Sequence, residues 1–99
     1  MSAMAFVSIT PLGEKESVSE YVAKAVKVIK DSGLKWQLTP MGTILEGEKL
    51  SDVLTVIDNA VEILQECNRI SISIKVDYRR NRKGDMNKKV EAVMEKLDV

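Results

Sequence analysis

The 99-residue chain contains no histidine. This removes the commonest general base and the commonest metal ligand together. No Ser-His-Asp or Cys-His pair can be assembled, and no Gly-rich phosphate loop ending in Lys-Ser/Thr is present. Catalysis is therefore not expected, and neither are catalytic residues, a catalytic cofactor or a metal. Cysteine is limited to Cys67, which excludes an intramolecular disulfide and a Cys-rich zinc site. Its place at the end of an apolar helical run marks it as a small buried hydrophobe. No run of about 20 apolar residues occurs, so no transmembrane helix is predicted. Met1 to Val7 lacks the basic start and long apolar segment of a signal peptide, which suggests a cytoplasmic protein. Net charge is absent too: 15 Lys+Arg balance 15 Asp+Glu, so no global attraction to nucleic acid or membrane is expected.

What is present fits one small domain spanning residues 1–99. Met4 to Thr10 is rich in β-formers, with Ala5, Val7 and Ile9 on one face and Phe6, Ser8 and Thr10 on the other. Ser17-Val18-Ser19-Glu20 is a capping-box pattern that predicts a helix start. Val18, Tyr21, Val22, Ala25, Val26 and Ile29 continue with helical spacing, and Ser32-Gly33 supplies the stop. Lys35 to Thr39 and Thr43 to Glu46 read as two strands joined by a turn at Pro40-Met41-Gly42. Leu50, Val53, Leu54, Ile57, Ala60, Val61 and Leu64 mark a second helix, with Ser51 or Asp52 near its cap. Arg69 to Asp77 alternates strictly, with Ile70, Ile72, Ile74 and Val76 on one face. A basic stretch from Arg79 to Gly84 and a last helix carrying Met86, Val90, Val93, Met94 and Leu97 complete the chain.

The order β-α-β-β-α-β plus a C-terminal helix is that of the ferredoxin-like α+β fold, a four-stranded antiparallel sheet with two helices on one face. The expectation is that the first and last strands lie side by side at its centre. The other face would carry Phe6, Ser8, Thr10, Ser71, Ser73 and Lys75, joined by Gln37 and Thr39, with no helix over it. A half-apolar face on so small a domain points to a subunit interface. RNA-recognition domains share this strand order but stack bases on aromatic side chains. Only four aromatics exist here, and Phe6 alone falls on the open face, so nucleic acid is not expected as a partner. Lys75 and Asp77 read as a surface ion pair.

The most informative stretch is Leu38 to Gly47. Two threonines bracket a Pro-Met-Gly turn, and a Glu follows three residues later, between two strand-like runs. That pattern suggests a small polar pocket. Trp36, the sole Trp, offers either a core aromatic or a platform for a flat ring or cation. Glu46 offers either a solvated carboxylate or a partner for a cation or amino group.

With these motifs the chain resembles the small thiamine-binding, YkoF-like proteins of bacteria, archaea and fungi. The resemblance runs through Ser8-Ile9-Thr10-Pro11-Leu12-Gly13, Ser17 to Val22, Gly33 to Thr43, Glu46-Gly47, and Arg69 to Asp77 with Arg79-Arg80. Tyr78 departs from it, standing where a second acidic or other polar residue is expected. The resemblance implies a homo-oligomer, commonly a tetramer, that binds thiamine or its hydroxymethylpyrimidine part without chemistry. Carried over by motif, the ligand contacts are Ser8, Trp36, Thr39, Thr43 and Glu46. Trp36 would stack on the aminopyrimidine. Glu46 would accept from its amino group or offset the thiazolium charge, and the three hydroxyls would satisfy ring nitrogens and the alcohol. The alternative is an ACT-like regulatory module that binds an amino acid or a partner protein at a subunit interface.

Overall fold

The computed structural model describes residues 1–14, 17–81 and 83–97. Its elements are β1 (Ser2–Pro11), α1 (Val18–Asp31), β2 (Lys35–Thr39), β3 (Gly42–Gly47), α2 (Leu50–Glu62), β4 (Ile70–Arg79) and α3 (Met86–Leu97). Every strand pairing is antiparallel, in the order β2-β3-β1-β4. This is the predicted ferredoxin-like arrangement with one correction. β1 and β4 are neighbours, but β4 lies at the edge and β3 shares the centre with β1. The reason is the hairpin. The two-residue connection between β2 and β3 forces them together, so β3 must fill the gap that α1 leaves between β1 and β2.

Local signals set most boundaries. α1 begins after Ser17, but the capping box does not close: Ser17 bonds the Ser19 hydroxyl at 2.7 Å, and no side chain caps the first turn. At its end, the Ser32 hydroxyl donates to the Ile29 carbonyl at 2.6 Å. Gly33 then takes φ +86°, a left-handed conformation that a side chain disfavours. α2 starts at Leu50, ahead of the predicted cap, and leaves Asp52 in the first turn, where its charge suits the helix N-terminus.

The core lies between the sheet and the pair α1 and α2. Ala3, Ala5, Val7 and Ile9 of β1 and Leu45 of β3 face Tyr21, Ala25 and Ile29 of α1 and Val53, Ile57 and Ala60 of α2. The alanines at the centre of β1 let both helices sit close to the sheet. Leu45 and Val53 are fully buried, each contributing about 1.5–3 kcal/mol by leaving water. Cys67 joins this core as expected, and burial pushes its thiol pKa up, with the nearby Glu14 carboxylate adding to the effect. The helices cover the outer strand only in part, with Ile70, Val76 and Tyr78 of β4 packed against the core. Ile72 and Ile74, which the pattern aims at them, stay 41% and 46% exposed on β4.

The second face is not wholly open. α3 crosses one end of it, held by polar contacts and by Met86, the buried residue of the helix. The Met86 N–H donates to Glu46 Oε1 at 3.1 Å, the Lys35 ammonium meets Asp85 at 3.4 Å, and Lys89 meets Asp77. Asp77 is thus paired with α3 and not with Lys75. The hydrogen bond from Lys89 holds the Asp77 carboxyl below its usual range. The Asn87 N–H, and then Lys35, do the same for Asp85. Both groups therefore favour the docked helix above the ordinary carboxylate range. That contribution is lost as pH falls through their lowered values.

Two outcomes are expected. A Cβ on Gly42 would stand 2.6 Å from Phe6 Cζ and 2.7 Å from the Val7 carbonyl oxygen, which cannot yield without disturbing β1. Gly42→Ala should cost about 1–3 kcal/mol in urea unfolding. Amide protection in α3 should be constant between about pH 7 and 5 and fall below about pH 4, ahead of the sheet amides. Asp77→Asn with Asp85→Asn should weaken that protection at neutral pH and flatten its profile.

Candidate functional site

The pairing of β1 with β3 ends at Val7–Thr43, while its pairing with β4 continues through Thr10–Ser71 to Pro11–Ile70. Beyond Val7, the side of β1 that faced β3 has no strand partner. There a cavity of about 270 Å³ opens between this main chain, the β2–β3 hairpin and α1. Ser8 to Thr10 form one wall, Val22, Ala25, Val26 and Ile29 the opposite one, and Leu38 to Thr43 the end. The α1 wall is apolar. The strand wall presents the unpaired main-chain N–H and C=O groups of an interrupted ladder.

Strand alternation decides what each predicted residue can do here. Thr43 pairs with Val7 on the helix side of the sheet, is only 4% exposed, and lines the cavity. Ser8 lies between core residues Val7 and Ile9, so its side chain points to the other face and its main chain lines the cavity. Thr39 lines the cavity as well, but its hydroxyl closes the hairpin. It donates to the Gly42 carbonyl at 2.8 Å and accepts from the N–H groups of Met41 and Gly42 at 3.3 and 3.2 Å. Such a local hydroxyl-to-backbone bond holds the turn in place of a ladder.

Trp36 and Glu46 lie elsewhere. Trp36 pairs with Leu45, which puts it on the helix side of the edge strand β2, two residues from Leu38 and outside the cavity. Glu46 pairs with Met4 on one side and Lys35 on the other, which puts it on the opposite face beneath the start of α3. It is 6% exposed. The structure therefore brings Ser8, Thr39 and Thr43 to one cavity and separates Trp36 and Glu46 from it and from each other. The α1 residues of the cavity wall carry no separate sequence signal, because they belong to the same apolar stripe as the core. The basic stretch supplies nothing to this cavity, and its Arg82 lies outside the described residues. The described residues hold no cluster of three or more metal-ligating side chains and no helix long and apolar enough to cross a membrane.

The chemistry on offer is recognition. A flat ring could slide between α1 and the strand edge, meet alternating donors and acceptors there, and reach the Thr43 hydroxyl. No nucleophile with an adjacent base faces the cavity among the described residues.

Comparison with known proteins gives the family and the fold. A Mycobacterium bovis UPF0045 protein is 40% identical over 94 residues, covering 94% of this chain and 92% of its own length. A Bacillus subtilis UPF0045 protein is 39% identical over 102 residues, covering 96% and 97%. The crystal structure of a Methanocaldococcus jannaschii protein superposes with TM-score 0.83 at 38% identity, over 95% of this chain and 97% of that one. A Thermotoga maritima protein provisionally assigned to thiamine biosynthesis or salvage shares the fold, with TM-score 0.81 at 19% identity over 94% and 99% of the chains. The family model described as thiamine-binding protein matches residues 5–94. By that match and these relatives, the chain belongs to the thiamine-binding protein family.

Proposed function

We propose that the protein is a cytoplasmic, non-catalytic binder of thiamine or its hydroxymethylpyrimidine part, and that the ring sits in the cavity between α1 and the unpaired edge of β1. The observation that carries this reading is the interrupted ladder at Ser8–Thr10 facing an apolar helix wall. An aminopyrimidine shows an exocyclic N–H donor beside a ring-nitrogen acceptor, which is the sequence of groups a strand edge complements. The Thr43 hydroxyl supplies one further donor and acceptor. The 270 Å³ volume is just under the range of about 300–1,000 Å³ typical of small-molecule sites. It favours a single ring inside, with the thiazolium of the whole vitamin towards solvent. Ser8 and Thr39 take part through the main chain and the turn. Trp36 flanks the site, and Glu46 holds α3.

We also propose that the working form is a homo-oligomer. Val90, Val93, Met94 and Leu97 of α3 are 54–68% exposed, and on the opposite face of the sheet Ile72 and Ile74 of the edge strand β4 are exposed as well. A monomer of this size does not ordinarily leave such a stripe in water.

Calorimetry with thiamine, thiamine phosphates and hydroxymethylpyrimidine should show saturable binding of at least the pyrimidine. Thr43→Val keeps the shape and removes the hydroxyl, and should weaken that binding about 3- to 10-fold. Trp36 fluorescence should respond modestly, because the indole is beside the cavity and not in it. No heat and no fluorescence change with any of these compounds would reject the ligand. In sedimentation velocity the protein should run as a tetramer, and Val93→Asp should give smaller species. A monomeric wild type at micromolar concentration would reject the assembly.

A further inference from the structure

The sheet has two edge strands, β2 and β4, and they are unlike. β2 is five residues long. β4 is ten residues long, contains no proline, and pairs with β1 without a break from Ile70 to Arg79. The residues it points to the helix side, from Ile70 to Val76 in steps of two, carry no charge. Such an edge lacks the proline, bulge or inward charge that ordinarily keeps other strands away.

Its free main-chain groups follow from the ladder. The Leu12 N–H donates to the Arg69 carbonyl at 2.8 Å, and Pro11, which has no N–H, stands opposite Ile70. By antiparallel alternation, Arg69, Ser71, Ser73, Lys75 and Asp77 bond inward to β1, while Ile70, Ile72, Ile74 and Val76 present N–H and C=O outward. Apolar groups are bare on both faces beside this edge. Ile72 and Ile74 are exposed on the helix side. On the far side, α3 starts at Glu46 on β3 and meets Asp77 on β4 through Lys89, so it runs toward the same edge. Beyond Lys89 it has no buried residue. One occupant covers both sets only by continuing the sheet past β4.

We propose that a second copy of this chain pairs with β4, antiparallel and about a two-fold axis at Ser73, joining two four-stranded sheets into one. This interface rests on the homo-oligomer reading and makes it specific. Charge sets the register. With the axis at Ser73, Ile72 faces Ile74 of the second copy, Ile70 faces Val76, Ser71 faces Lys75 and Arg69 faces Asp77, each twice. The isoleucine and valine pairs are then the hydrogen-bonded ones. Arg69 has no ion pair among the described residues, and both ion pairs of Asp77 use Oδ2, which leaves Oδ1 for it. Moving the axis to Ile72 or Ile74 sets Arg69 against Lys75 or Arg79, and like charges directly opposite are destabilising. The apolar stripe of α3 continues onto the second copy's far face, where the small side chains of Ser71 and Thr10 stand side by side.

The test is oxidative cross-linking of the full chain, with sedimentation velocity beside it. Ser73→Cys should form a disulfide dimer under mild oxidation, because a non-hydrogen-bonded pair sets its Cα atoms about 4.5 Å apart, within disulfide reach. Ser71→Cys and Lys75→Cys should not link singly, since their equivalent positions lie about 13 Å apart along the strands. Mixed and allowed to exchange, those two variants should link to each other. Cys67 is buried, so the wild type should stay unlinked. Ile74→Lys and Arg69→Glu change exposed side chains and should each weaken association about tenfold or more, with circular dichroism unchanged. An oligomer in which Ser73→Cys stays unlinked, or Ser71→Cys links as readily, would overturn this interface and leave the homo-oligomer reading standing. Wild-type association in both Ile74→Lys and Arg69→Glu would do the same. A monomeric wild type would overturn both.

Discussion

The register of β1 against β3 is the constraint on which the rest depends. Ala5 opposite Leu45 and Val7 opposite Thr43 place those four side chains against the helices. A slip of one residue would send Leu45 to the far face and Glu46 into the core. The cost of an unpaired carboxylate among Ala5, Val53 and Ile57 makes that slip prohibitive. The same alternation that builds the core thus sends Thr43 to the cavity and Glu46 to the underside of α3.

That division gives the sheet two unlike faces. On the helix side, apolar packing thins over the edge strand β4 and is interrupted where β3 ends before β1 does, and that gap is a slot with a polar edge. On the other side there is little apolar packing at one end and a set of charged contacts with α3. The first kind of surface is rigid, because Val7, Ile9 and Ile29 are fixed by the core behind them. The second is adjustable, because ion pairs and a single buried Met86 hold α3 there. Ligand recognition suits the rigid side and responsiveness suits the adjustable one.

Much of the fold was legible in the residues. The strict alternation of Ile70, Ile72, Ile74 and Val76, the apolar stripes of both core helices and the Ser32-Gly33 stop each named their element. The unpartnered stripe of α3 was equally visible. The central position of β3 was less so, because strand order follows from how two crossovers interleave and not from any one segment. The site was legible only as a neighbourhood. The stretch from Leu38 to Gly47 does bound the cavity, but period-2 geometry divides its polar residues between faces. The pairing partner that fixes the parity lies some 40 positions away in the chain. Thr39 illustrates the difficulty: its hydroxyl looks available in sequence and is consumed by the turn it flanks. The role of Glu46 in holding α3 could not be foreseen either, since it depends on where α3 lands.

The pairing of β1 with β4 joins Ser2 to Arg79 and Pro11 to Ile70, residues far apart in the chain. β1 is one of the two central strands, yet it precedes both of its neighbours in the chain, and β4 follows it only after both core helices and the hairpin. During synthesis it has no ladder to enter until the hairpin has emerged, and its β4 side remains bare until β4 follows. Closing so long a loop is entropically unfavourable and makes sheet completion slow relative to helix formation. The alternating apolar run from Ala3 to Ile9 is therefore the segment of the nascent chain most in need of shielding.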